Sequence, residues 1–105
     1  MVMAKNAVNV ENINLFGITI TTNQILKMRK VYRLRLRAIL PQGCIAVNLK
    51  IAFVDAEKDD LGNYLYKAVF RKLSEVQVAV LKEIAVNYMD AELITPITLS
   101  ATILR

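Results

Sequence analysis

The stretch Tyr32–Phe53 reads YRLRLRAILPQGCIAVNLKIAF, and its pattern decides the fold that the rest of the chain must join. From Tyr32 to Ala38 apolar and polar residues alternate strictly, the period of a strand with one buried face. Tyr32, Leu34, Leu36 and Ala38 fall on one side, and Arg33, Arg35 and Arg37 on the other. Alternation resumes after a break, with Ile45, Val47, Leu49, Ile51 and Phe53 pointing one way and Ala46, Asn48, Lys50 and Ala52 the other. The break, Leu40-Pro41-Gln42-Gly43, is turn chemistry: Pro fixes φ and Gly tolerates a positive one. Two alternating runs joined by so short a turn predict an antiparallel hairpin.

Working outward, Ala7 to Asn14 is rich in β-branched residues and asparagine, and Ile18 to Thr21 is a β-branched run after Gly17. Asp55 to Asn63 is a polar reversal, and Tyr64 to Arg71 returns as a strand. Helical grammar starts at Ser74-Glu75-Val76-Gln77, a capping box with Ser74 as N-cap. Leu73 and Val78 are placed to form the hydrophobic staple, and Leu81, Ile84, Ala85 and Tyr88 follow at helical spacing as a core stripe. After Asp90, Thr95 to Leu104 turns β-like again, with Pro96 near its start, where a missing N–H is tolerable. The expectation is a mainly β protein, residues 1–105 forming a single domain. Strands occupy about 7–73, a helix about 74–89 and an extra strand about 95–104.

Composition narrows the chemistry. The chain has 105 residues, 55% of them hydrophobic and 22% charged, enough for a real core. No run reaches the roughly 18 apolar residues of a spanning helix. Lys5, Asn6, Asn9, Glu11, Asn12 and Asn14 interrupt any signal-peptide core, so the expectation is a soluble, cytoplasmic chain with no membrane span. There is no histidine, which removes His catalysis and His metal ligation. The single cysteine, Cys44, cannot make an internal disulfide or a zinc cluster and reads as a buried or half-buried strand residue. The acids Asp55, Glu57, Asp59 and Asp60 lack the spacing of a calcium loop. No enzyme, metal or cofactor is expected.

The net charge is +5. The excess is local: Lys27, Arg29, Lys30, Arg33, Arg35 and Arg37 carry no acid among them. Such a run is either a solvated strand face or the contact for a phosphate-bearing or acidic partner. Nucleic acid is not the expected partner, because the total charge is modest and no aromatic ladder accompanies it.

Taken in order, strands, a polar hairpin, and a strand running into a capped helix resemble the PilZ domain. Two segments carry the resemblance. Asn12-Ile13-Asn14-Leu15-Phe16-Gly17-Ile18 is similar to the family's Asp/Asn-x-Ser-x-x-Gly motif, with Asn14 standing in the serine position. Phe70-Arg71-Lys72-Leu73-Ser74 is similar to its Phe-x-x-Leu-Ser lead-in to the helix. The resemblance spans roughly Val8 to Tyr88 and implies a small antiparallel β-barrel closed by a C-terminal helix. It also implies cyclic-di-GMP as ligand, with Asn12, Asn14 and Gly17 as the remnant of the nucleotide site.

The family's Arg-x-x-x-Arg arm has no counterpart, since no arginine precedes Asn12 and Lys5 is the sole cation there. Two to four charge-assisted hydrogen bonds, at roughly 1.5–3 kcal/mol each, would be lost. Weak or absent nucleotide binding is expected. Arg33, Arg35 and Arg37 lie in a later strand and are no replacement that the motif licenses. The family's first strand is missing too, while a segment is gained after the helix. Ile94 to Leu104 is therefore expected to fill the vacant place beside Ala7 to Asn14, either within one chain or by a domain swap.

Two functions follow, with a nucleic-acid binder using the arginine strand as a third, weaker reading. One is a degenerate, non-enzymatic PilZ-like receptor or adaptor with an unidentified protein partner. The other is a structural subunit, a homo-oligomer whose apolar surface its neighbours bury.

Overall fold

In the computed structural model, residues 7–40, 43–89 and 98–104 are described. The strands are β1 (Ala7–Ile13), β2 (Gly17–Thr22), β3 (Val31–Leu40), β4 (Gly43–Lys58) and β5 (Tyr64–Arg71). Helix α1 (Glu75–Met89) and strand β6 (Thr98–Leu104) complete the chain. All neighbouring strands are antiparallel, and they close into a barrel in the order β1-β2-β5-β4-β3-β6. The mainly β barrel, the single helix and the extra C-terminal strand are those the sequence implied.

The β3–β4 hairpin is the widest element. Its register runs from Val31↔Ala52 to Leu40↔Gly43, with Pro41 and Gln42 lying outside the described residues. Burial along β3 alternates without a fault, so the five inward side chains, from Tyr32 to Leu40, enter the core while its arginines face out. In β4 Ala52 keeps the outward face that the alternation predicts, yet it is buried. Its Cα partners are Val31 and Val69, so its methyl sits between two valines. Cys44, expected to be buried or half-buried, is exposed, because it lies on the outward face of the hairpin opposite the exposed Ile39.

The predicted polar reversal at Asp55–Asn63 is shorter than expected. β4 runs on to Lys58 through an irregularity between Phe53 and Asp55, and only the Asp59–Asn63 segment turns. Asp59 builds that turn, its Oδ1 accepting from Leu61 and Asn63 N–H, both at 2.9 Å, while Gly62 takes φ 87°.

β6 settles how the barrel closes. It pairs with β3 over seven positions, Arg33↔Leu104 to Ile39↔Thr98, and with β1 at Ala7↔Thr102 and Val8↔Ala101. Closure is therefore within one chain, and residues 94–97 of the predicted segment lie outside the described residues. Ala101 and Ile103 of β6 are buried in the same core as Leu34, Leu36 and Ile51.

The two barrel ends are sealed differently. At one end the segment 23–30 crosses the mouth after Thr22, which pairs with Tyr64, the first residue of β5. Tyr66 Oη accepts from Leu26 N–H at 2.9 Å and donates to the Gln24 carbonyl at 3.0 Å. Beneath it Tyr32, Phe53 and Tyr66 pack as mutually tilted rings, with centroids 5.5 and 5.0 Å apart. At the other end α1 follows Arg71, the last residue of β5.

The capping box forms as read: Gln77 N–H donates to Ser74 Oγ at 3.1 Å, and Ser74 N–H to Gln77 Oε1 at 2.8 Å. Leu81 and Ile84 enter the barrel core, with Leu73 and Val80 packed against it, and Ala85 is buried. The side chain of Tyr88 lies outside the described residues. No helix among the described residues is long and apolar enough to cross a membrane.

Because β6 supplies both the last ladder and a wholly buried Ile103, Ile103→Ala should destabilise the fold by about 2–5 kcal/mol. Ser100→Ala, on the exposed face of the same strand, should stay within about 0.5 kcal/mol. Urea unfolding of the two variants against the parent protein measures both.

Candidate functional site

Asn12, Asn14 and Gly17 come together on one outer face. They line a shallow depression of about 220 Å³ that also takes in Phe16, Val54, Lys67 and Val69. Each has local work. Asn12 follows an irregularity in β1 between Val10 and Asn12, and its Oδ1 accepts from Ile13 N–H at 2.9 Å. Asn14 makes the β1–β2 reversal: its Oδ1 accepts from Phe16 N–H at 2.7 Å and Gly17 N–H at 3.0 Å. Its own N–H donates to the Gly17 carbonyl at 3.0 Å. This is the side-chain mimic of a backbone turn that asparagine forms readily.

Gly17 is explained by close approach rather than by conformation. A Cβ there would collide with the Ala68 carbonyl on β5. The pairing Gly17↔Val69 and the Phe70 N–H to Phe16 carbonyl bond at 3.0 Å hold the two backbones together. The turn also leaves Phe16 82% exposed beside Val54 at 58%, an apolar patch that water contacts directly.

Arg33, Arg35 and Arg37 form a second surface. They stand on the outer face of β3, and the register extends that face sideways: Arg33 pairs with Lys50, and Lys50 with Arg71. The remaining β4 and β6 partners of the three arginines are Asn48, Ala46, Leu104, Thr102 and Ser100, none of them acidic. Arg35 Nε donates to Asn48 Oδ1 at 3.3 Å, and Arg37 Nη2 lies 4.0 Å from Cys44 Sγ. Sequence reading missed Lys50 and Arg71 as members of this face. Counting back from a two-residue turn would have placed Lys50 opposite Arg33, whereas Arg71 depends on the β4–β5 pairing.

Gly17 and the arginines of β3 sit on strands three places apart in the ring of six. The two surfaces approach each other on β4 and β5, where Val54 and Val69 line the depression and Lys50 and Arg71 extend the arginine face. Lys67 is the single cation lining the depression. Among the described residues no group of three or more acids or cysteines is placed to hold a metal ion.

Compared with known protein families, curated proteins and solved structures, the chain matches none.

The local roles give a direct test in the absence of any ligand. Gly17→Ala should destabilise the protein by about 1–3 kcal/mol through the clash with β5. Asn14→Ala should cost about 1 kcal/mol by releasing two N–H groups to water. Thermal unfolding followed by circular dichroism gives both values.

Proposed function

We propose that this chain is a non-enzymatic, PilZ-like signalling module of the cytoplasm, a degenerate adaptor that works through protein contacts and binds cyclic-di-GMP weakly or not at all. The observation that carries the reading is the state of the depression. Its motif residues gather as a nucleotide site would require, yet Asn14 Oδ1 is already engaged by two N–H groups. A dianionic dinucleotide would meet one lysine there and no arginine. Guanidinium forks, which bind phosphate and guanine edges in pairs, have no substitute in a single ammonium group.

What the face does offer is contact area. Phe16 projects beside Val54 and Val69, rimmed by Asn12 and Lys67, the mixture of an apolar centre and a polar edge that protein interfaces use. The same patch is the one feature that favours the second reading, a homo-oligomeric structural subunit, since a second copy could cover Phe16 equally well. Closure of the barrel weighs against that alternative, because it removes the open sheet edges through which β-rich subunits add to one another.

Isothermal titration with cyclic-di-GMP is expected to give little or no saturable heat, and Asn12→Ala should abolish whatever heat is seen. A submicromolar dissociation constant would sink the degenerate reading. Sedimentation velocity of the parent protein and of Phe16→Ser separates the two occupants. A monomer in both cases fits the adaptor, and an oligomer that Phe16→Ser dissociates fits the subunit.

A further inference from the structure

A third surface lies at the sealed mouth of the barrel, where the segment 23–30 joins β3. A cleft of about 360 Å³ opens there, lined by Lys27, Lys30 and Arg33 on one hand and by Ile25, Tyr32 and Leu104 on the other. No acid lines it. We propose that this cleft binds a phosphate ester, with the phosphate held by the three cations and an attached apolar or aromatic group laid against Ile25, Tyr32 and Leu104. The proposal is independent of the adaptor reading, which concerns the Asn12-Asn14-Gly17 depression.

The cleft is built rather than incidental. Three backbone anchors fix the segment that carries the two lysines. Leu26 N–H donates to Tyr66 Oη at 2.9 Å, Lys27 N–H to Tyr32 Oη at 2.9 Å, and Arg29 N–H to the Phe53 carbonyl at 2.9 Å. Arg29 itself takes φ 65°, a left-handed conformation that a residue with a Cβ adopts at a cost. That turn delivers Lys30 to the cleft, where its Nζ sits 5.1 Å from the centroid of the Tyr32 ring. The backbone that carries Lys27 and Lys30 is thereby held in place before any ligand arrives, which lowers the ordering cost of binding.

The chemistry selects the ligand class. A phosphate monoester carries a charge between about −1.5 and −2 near neutral pH, which suits a cluster of three cations better than a single carboxylate does. Arg33 contributes a planar fork that matches two phosphate oxygens at once. Lys50, beside Arg33 on β4, adds to the positive potential without lining the cleft. The volume is at the small end of ligand sites, the size of a compact organic phosphate rather than a polymer.

Two sources offer a phosphate ester, a soluble monoester and the phosphodiester headgroup of an anionic lipid, which carries a single negative charge. The test uses the full chain labelled with nitrogen-15. It is titrated with phenyl phosphate and, separately, sedimented with vesicles of phosphatidylglycerol in phosphatidylcholine. Saturable amide shifts confined to residues 25–33 and 104 are expected with phenyl phosphate if the source is soluble. Vesicle binding is expected if the source is a lipid.

With either probe the double variant Lys30→Gln, Arg33→Gln should weaken binding by about tenfold or more. Arg37→Gln, on the same strand face but outside the cleft, should leave it unchanged. All three positions are exposed, so the fold is retained in each variant. The proposal is overturned if neither probe binds, if shifts spread over all the basic surface, or if Arg37→Gln costs as much as the double variant.

Discussion

Everything in this molecule depends on β6 lying between β3 and β1. Without it, the sheet β1-β2-β5-β4-β3 would be an open ribbon with unpaired N–H and C=O groups along two long edges. Such edges recruit other chains. With it, the ladder closes, and the inward side chains of every strand share one core instead of one half-buried face. Ala101 and Ile103 then lie beside their ladder partners Leu36 and Leu34 and join the core that holds Leu49. A strand from the far end of the sequence thus decides whether the residues from Ala7 onward have a place to fold.

Closure creates a second problem, because a barrel has two mouths. The chain solves them with different chemistry. Aromatic rings and tyrosine hydroxyls seal one end, where Tyr66 and Tyr32 reach out of the core to hold the passing backbone of residues 24–27. A capped helix seals the other, inserting Leu81 and Ile84 and fastening itself to β4 through the Gln77 Nε2 to Asn48 carbonyl bond at 2.7 Å. The first seal is polar enough to leave cations and a cleft at its rim. The second is apolar, built on Leu81 and Ile84.

Six strands place β2 and β3 back to back, so Gly17 and the arginines of β3 stand on opposite walls, while β5 and β4 carry the outer surface between them. The Asn12–Gly17 segment shows how a motif can keep its residues for structural reasons: Asn14 closes a turn and Gly17 admits a neighbouring carbonyl, whether or not a ligand is present.

The alternation at Tyr32–Phe53, the capping box at Ser74 and the apolar stripe through Leu81 and Ile84 were legible because each is a local pattern. Side-chain direction follows residue spacing over a few positions, and no distant partner is needed to read it. For the same reason the arginines of β3 could be assigned to one face from the sequence alone. The burial of Ala52, the exposure of Cys44, the extension of β4 to Lys58 and the row Arg33–Lys50–Arg71 were not legible. Those depend on which strand lies alongside and in what register, a choice made by the closing of the ring. So too does the cleft at Lys27, Lys30 and Arg33, whose members are close in sequence but converge only because two tyrosines from the core pin the segment between them. The sequence by itself determined the elements and their inward faces; the tertiary structure alone decided which outward residues became neighbours.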